Sequence, residues 1–329
     1  FGMITAAAIF YVIKGPTRKR ALLAGLGAGL MFATKGTVAI SLLCWALAGL
    51  ATWWIMRYGR EEDNPGNALT DYIRPALWFT LSLIITAAVF YGGGLIDAFK
   101  TYFVYETTSG HDKPFGYYLH MLIWPKQALG VWWTEGGVAL LGLAAGLFAL
   151  QRKRALPLVG FVTLSVLLHL LVYSLIHYKT PWLMSLPWAL ACLLAACIFL
   201  KDFRVKGSCR AIILYSCFGL CLFYQIHLSL QANGRLSNHA DNPYAYVPTS
   251  KNISQLPTWL KELEGSLEDQ SLEPIAVIGQ SFWPLPWYLR EFEQVGYWPL
   301  PPEGLNDLPV VIAMPEQTAA CNKMLGNTH

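Results

Sequence analysis

Apolar residues are unevenly distributed along this chain. Up to about residue 229 they form long runs broken by short polar segments, and beyond that point polar residues dominate. A membrane-spanning helix needs about 20 apolar residues, and shorter ones are tolerated inside a bundle. Eight segments qualify: 1 to 13, 21 to 34, 37 to 56, 73 to 93, 136 to 150, 156 to 177, 182 to 200 and 211 to 229. The run from 21 to 56 is too long for one helix, and Thr34-Lys35-Gly36 near its middle supplies a polar, flexible break, so it reads as a tight helical hairpin. After residue 230 the pattern changes. Residues 256 to 263 have helical spacing, 274 to 279 and 308 to 313 read as buried strands, and 286 to 292 suits a short helix with proline near its start. Strand, helix and strand in that order predict a parallel sheet of Rossmann-like shape. There is no glycine-rich phosphate loop, so nucleotide binding is not expected. The predicted fold is an α-helical polytopic membrane domain over 1–229, with about eight helices, followed by a small α/β domain over 230–329.

Composition agrees with that division. Of 329 residues, 55% are hydrophobic and 13% charged, with a mean hydropathy of +0.40, which excludes an ordinary soluble protein. Residues 1 to 229 hold 19 Lys/Arg and 9 Asp/Glu, whereas 230 to 329 hold 5 and 11. The basic residues sit in short clusters between apolar runs, which argues against nucleic acid as a partner. Four clusters contain 14 of those 19: Lys14/Arg18/Lys19/Arg20, Arg57/Arg60/Arg74, Arg152/Lys153/Arg154 and Lys201/Arg204/Lys206/Arg210. With eight helices all four fall on one face, which the positive-inside rule makes cytoplasmic. Lys35, the loop 94 to 135, the turn 177 to 182 and the tail from 230 are then extracytoplasmic, as expected for a multi-pass plasma-membrane protein. Six of the seven cysteines lie in or beside apolar helices and read as packing residues. Gly25, Gly27 and Gly29, with Gly137, Gly142 and Gly146, read as sites of close helix approach. The chain starts with Phe1 inside an apolar run, so upstream helices are expected.

Candidate chemistry lies on the extracytoplasmic side. The loop segment from Ser109 to His120 includes His111, Lys113, Tyr117 and Tyr118. Tyr117, His120 and Trp124 share one helical face by spacing. The segment reads either as an anion site at a helix N-terminus or as an interfacial amphipathic helix. The turn Tyr178-Lys179-Thr180-Pro181-Trp182 brings another lysine to this side, so Lys35, Lys113 and Lys179 are candidates to converge on one negatively charged ligand. His169 and His227 lie within apolar helices, where an ionisable residue is a functional candidate and a neutral hydrogen-bonded imidazole is the plainer alternative. No metal-ligand spacing and no nucleophile triad is recognisable.

Three motifs, Ala33-Thr34-Lys35-Gly36, Lys113-Pro114-Phe115-Gly116-Tyr117-Tyr118-Leu119 and Tyr178-Lys179-Thr180-Pro181-Trp182, resemble polytopic glycosyltransferases of the GT-C superfamily. The similarity is to the protein O-mannosyltransferase and lipid A aminoarabinose transferase groups. It is greatest to the membrane glycosyltransferases labelled flippase-activity-associated proteins, whose tail pattern resembles Phe282-Trp283-Pro284-Leu285-Pro286-Trp287-Tyr288-Leu289-Arg290 and Val295-Gly296-Tyr297-Trp298. The resemblance implies a GT-C-like bundle that transfers a sugar from a polyprenyl-phosphate carrier to a glycan, lipid or protein acceptor at the outer membrane face. It implies Lys35, His111, Lys113 and Lys179 on the phosphate side, with Tyr117, Tyr118, Tyr178 and Trp182 shaping the lipid or sugar pocket. Trp283, Trp287, Tyr288 and Arg290 form a candidate sugar-binding surface, or a contact that docks the tail. The acidic residue that acts as base in such enzymes is expected upstream of Phe1. No cofactor is implied, and a divalent metal is compatible with the reaction. The alternative is a non-catalytic partner of lipid-linked sugar export.

Overall fold

The computed structural model describes residues 1–58, 68–104, 112–151, 157–200, 208–245, 248–266 and 271–326. The chain divides into two compact units, Phe1–Gly234 and Arg235–His329.

The first unit is helical. It contains α1 (Gly2–Lys14), α2 (Arg18–Thr34), α3 (Val38–Tyr58), α4 (Ile73–Tyr91), α5 (Leu95–Val104) and α6 (Tyr117–Leu122). A two-stranded antiparallel hairpin of β1 (Lys126–Ala128) and β2 (Val131–Trp133) follows. Then come α7 (Gly136–Gln151), α8 (Pro157–Leu175), α9 (Ser185–Ala196) and α10 (Ser208–Asn233). The eight apolar segments are helical, and among the described residues five helical stretches are long and apolar enough to cross a membrane: Val38–Arg57, Leu69–Thr101, Pro157–Leu175, Pro181–Phe199 and Ala211–Asn233. The protein is therefore a helical membrane protein. The other three expected segments form shorter helices, α1 of 13, α2 of 17 and α7 of 16 residues, about 20 to 26 Å long at 1.5 Å per residue.

Local chemistry sets the helix ends. Gly15-Pro16 stops α1, and the Thr17 side chain caps α2 by accepting from the Arg20 amide at 3.4 Å. The Arg20 guanidinium donates to the carbonyl of Gly15 at 2.8 Å and to that of Tyr11 at 3.2 Å, the latter also accepting from the Gly15 amide, so a side chain of α2 ties down the end of α1. The break at Thr34-Lys35-Gly36 separates α2 from α3, with Lys35 extended and the Thr34 hydroxyl donating to the carbonyls of Leu30 and Met31. The β1–β2 turn has positive φ at Leu129 (58°) and Gly130 (73°), the geometry that joins two strands through two residues.

Glycines bring the helices together. A methyl group on Gly25 would lie 2.2 Å from the Phe79 carbonyl oxygen, and one on Gly29 would lie 2.6 Å from Thr86 Cβ, so α2 meets α4 backbone to backbone. Gly27 faces Thr5 of α1, Gly142 faces the Ala191 carbonyl of α9, and Gly146 faces Thr163 of α8. Side chains then tie helix to helix: Ser82 donates to the Leu22 carbonyl at 2.8 Å and Tyr91 to the Phe32 carbonyl at 3.0 Å. Around Trp45, Phe10 and Phe161 of α3, α1 and α8 close the apolar centre.

The second unit is a three-stranded parallel sheet of order β4-β3-β5, with α11 (Leu256–Ser266), β3 (Ile275–Ile278), α12 (Leu285–Tyr288), β4 (Val295–Trp298), β5 (Val310–Ala313) and α13 (Thr318–Leu325). All four residues of β3 are buried. Ile275 and Val277 pack under Leu260, Leu285 and Leu289, whereas Ala276 and Ile278 pack under Leu305 and Cys321. The helix expected over 286 to 292 is only four residues long. It is followed by β4, which the sequence pattern did not suggest, because Gly296 interrupts its alternation. That glycine accommodates the Trp298 indole, whose Cη2 would lie 2.0 Å from any Cβ there.

A Gly25→Ala substitution pushes against the backbone of α4, and overpacking of this kind costs about 1–3 kcal/mol. Thermal unfolding of the purified chain in detergent should show this loss. Gly93→Ala, where nothing lies within 4 Å of the added methyl, should leave the transition in place.

Candidate functional site

At the end of the bundle where α2 passes into α3, a cavity of about 380 Å³ is lined by Met31, Val38, Leu183 and Leu186, and by the polar residues Thr34, Lys35, Thr37, Ser41, Tyr173 and Ser185. The start of α1 forms another part of its wall. Lys35 stands at the polar side, its Nζ donating to the Trp182 carbonyl at 3.3 Å, an oxygen that also accepts from the Ser185 hydroxyl at 2.7 Å. Partial desolvation there holds the Lys35 ammonium below the ordinary lysine range.

The hydroxyl wall is organised from behind by a wholly buried imidazole. His169 Nδ1 lies 2.7 Å from the Ser165 carbonyl, so in the neutral ring this nitrogen carries the proton. Nε2, 3.2 Å from Ser41 Oγ, then accepts from the serine. Tyr173 lines the same cavity as Thr37 and Ser41. Thr37, just before α3, accepts from the Ser41 amide at 3.2 Å and so lies one turn from Ser41, as His169 and Tyr173 on α8 lie one turn apart.

Next to the cavity wall, the structure joins the loop and turn singled out in the sequence. Asp112 and Tyr178 form an antiparallel bridge, and the Lys113 amide donates to the His177 carbonyl at 3.4 Å. Lys179 is buried, and its ammonium donates to the carbonyls of Lys113, at 3.1 Å, and Ile176. The Tyr118 hydroxyl, on a fully buried side chain, donates to the Thr180 carbonyl at 3.2 Å. Tyr117 meets Tyr118 edge-on at 5.1 Å between centroids, and burial pushes both phenols above the usual tyrosine range. Tyr118, Tyr173, Leu183 and Met184 pack together, with Tyr117 and Tyr178 against them.

The three lysines are therefore not equivalent. Lys35 faces the cavity, Lys113 is exposed, and the Lys179 ammonium is turned inward as a tie between the loop and the turn. Trp182 is partly exposed and supplies its carbonyl to Lys35. His111 lies outside the described residues. The face proposed for Tyr117, His120 and Trp124 does not exist as one helix, because α6 ends at Leu122 and Ile123 caps it. The residues least visible in the sequence are Thr37, Ser41 and Ser185. Each is a hydroxyl inside an apolar run, and the four-residue spacing of Thr37 and Ser41 is the signal that marks two of them.

In the second unit, Trp283 and Trp287 are exposed, and the Arg290 guanidinium lies 4.4 Å over the Trp287 ring while donating to its carbonyl at 2.6 Å. Tyr288 is half-buried beside them. At the C-terminal end of β3 the amides of Gln280 and Ser281 both donate to Glu316 Oε1 at 3.1 Å. The amides of Glu316 itself, Ser281 and Gln280 hold that carboxyl below the usual range. A carboxylate thus occupies the backbone position that receives phosphate in nucleotide-binding sheets. Among the described residues no group of three His, Cys, Asp or Glu side chains is placed to hold a metal.

No protein-family model, no curated protein and no solved structure matches this chain.

Lys179→Met removes the donor shared by Lys113 and Ile176 and leaves the bond from the Lys113 amide without support. Loss of a charged donor to buried carbonyls costs about 1–3 kcal/mol. Hydrogen exchange followed by mass spectrometry should show faster exchange confined to 112–118 and 176–180.

Proposed function

We propose that this chain binds a polyprenyl-phosphate-linked sugar in the Lys35 cavity and takes part in moving the sugar to an acceptor, as a GT-C-type glycosyltransferase of the plasma membrane, at its extracytoplasmic face. The observation that carries this reading is the make-up of the cavity wall. One ammonium and several hydroxyls line it together with apolar side chains. An amphipathic cavity suits an amphipathic ligand: isoprenoid units against Met31, Val38, Leu183 and Leu186, and phosphate at Lys35. Sugar hydroxyls would meet Thr34, Thr37, Ser41 and Ser185. In such a transfer the bond between the sugar's anomeric carbon and the phosphate oxygen breaks, and negative charge collects on the leaving phosphate, where a lysine lowers the barrier electrostatically. Lys179 and Tyr118 act indirectly, by holding the turn whose Trp182 carbonyl positions Lys35. The aromatic and guanidinium surface at Trp283, Trp287, Tyr288 and Arg290 is the candidate acceptor-glycan surface of the second unit.

One observation favours a second reading. Among the described residues lining the cavity there is no Asp or Glu, so these side chains supply no carboxylate base for the acceptor hydroxyl. A chain that binds the carrier without transferring its sugar, as a partner of lipid-linked sugar export, would need none.

Binding of decaprenyl phosphate to the full chain in nanodiscs tests both. Lys35→Gln should weaken binding by about ten-fold or more, the value of one charge-assisted hydrogen bond of about 1.5–3 kcal/mol. Because the Lys35 ammonium titrates below the ordinary lysine range, binding should decline as pH rises toward that range, earlier than for a free lysine. Lys35→Arg should carry binding to higher pH. Sugar release or transfer from a decaprenyl-phosphate sugar would support the enzyme, and binding without turnover the partner. Unchanged affinity in Lys35→Gln would sink both readings of this cavity.

A further inference from the structure

We propose that the membrane unit holds a second lipid site, at the opposite end of the same bundle, which takes one acyl chain of an anionic glycerophospholipid. A cavity of about 520 Å³ lies among α1, α2, α3 and the start of α4, and its wall is almost wholly apolar. It shares no residue with the Lys35 cavity, so the inference stands or falls independently of the function proposed above. Along α3 the wall runs from Leu42 to Trp53, 11 positions apart. That is about 16 Å at 1.5 Å per residue, or roughly one leaflet of a hydrocarbon core of about 30 Å. The cavity is thus as deep as one acyl layer.

Charge identifies the headgroup. Trp53 lines the cavity, and the Arg57 guanidinium stands 5.6 Å over its ring. Ile13 lines it and Lys14 is the next residue; Pro75 lines it and Arg74 precedes. Arg18 lies 4.0 Å over Trp78 on α4. Among the described residues this end holds Lys14, Arg18, Lys19, Arg20, Arg57 and Arg74 with one carboxylate, Asp71, whose Oδ2 accepts from the Ala68 amide at 2.8 Å. Basic residues where helices meet the bilayer surface attract anionic headgroups and give little preference to zwitterionic ones. The wall itself offers a sugar or peptide almost nothing, since the Tyr72 hydroxyl already donates to the Ile13 carbonyl at 2.5 Å.

The test reads the wall through Trp53, taken from the difference in quenching between the chain, with its 13 tryptophans, and the Trp53→Phe variant. The full chain in maltoside micelles is titrated with phosphatidylglycerol or phosphatidylcholine carrying brominated acyl chains, and tryptophan quenching is followed at low salt. Phosphatidylglycerol should quench at a concentration lower by about five-fold or more, the effect of one or two basic residues. The paired change Arg18→Gln with Arg57→Gln should abolish that preference, and Arg18→Lys with Arg57→Lys should keep it. Trp53→Phe should lower the quenching. Ala46→Phe and Ala76→Phe enlarge exposed small residues of the wall, and should abolish quenching by both lipids at unchanged helix content. Equal quenching by the two lipids, or quenching untouched by Ala46→Phe and Ala76→Phe, would overturn the proposal. So would displacement of phosphatidylglycerol by substoichiometric decaprenyl phosphate, which would give the site to the carrier. A stable dimer by light scattering, with quenching only after its dissociation, would give the face to a second copy of the chain.

Discussion

Hydrogen bonds from side chains to carbonyl oxygens of other segments hold the membrane unit in register. Inside a bilayer the hydrophobic effect does not favour one helix contact over another, because lipid tails are as apolar as the helices. Position must come from close backbone packing and from polar groups that pair across segments. Arg20 on the end of α1, Ser82 on α2, Tyr91 on α2 and Tyr72 on α1 all follow this rule. At the cavity end, Lys35, Tyr118 and Lys179 repeat it on Trp182, Thr180 and Lys113. The residues that carry the candidate chemistry are therefore fixed by the same kind of bond that fixes the fold.

This accounts for what was and was not legible in the sequence. The helices were legible because apolar runs and their polar breaks are local: Thr34-Lys35-Gly36 separates α2 from α3 whatever surrounds it. The glycines at 25, 27 and 29 were legible as approach points, though their partners Phe79, Thr5 and Thr86 were not, since a contact needs both helices placed. Helices α2 and α7 extend past the apolar segments 21 to 34 and 136 to 150, because a helix continues into polar residues such as Arg18 and Gln151 that hydropathy leaves out. Strand β4 was hidden by Gly296, a residue that weakens strand propensity and is present because the Trp298 ring covers it. The roles of the three lysines were not legible at all. Each is a cation beside an apolar run, and only the path of the backbone decides that Lys179 meets carbonyls while Lys35 meets the cavity.

The two ends of the bundle are chemically different, and the difference follows from which groups need solvating. At the Lys35 end short hydroxyls and the Lys35 ammonium line a cavity, and Lys179 is turned onto backbone carbonyls. At the other end, guanidinium groups lie over Trp53 and Trp78. There the flat charged head stays near the surface while its stem covers aromatic carbon. The first arrangement binds a group brought to it, whereas the second attracts a charged surface without fixing any one partner.

The buried imidazole shows how costly groups are used in this setting. Placing His169 between membrane helices removes it from water, and an unpaired polar atom there costs about 1–3 kcal/mol. Both nitrogens are satisfied, Nδ1 by the carbonyl one turn earlier on α8 and Nε2 by Ser41 of α3. The ring is therefore a bridge with a direction: because its own helix fixes the proton on Nδ1, Nε2 can only accept, and the Ser41 hydroxyl must point at it. Tyr173, four residues on, lines the same cavity as Ser41 and Thr37. With Ser41 committed as donor to the ring, its lone pairs are what it presents to the cavity. Exchanging His169 for an apolar residue would free that hydroxyl to rotate, so the polar character of the cavity wall is set by a residue that does not line it.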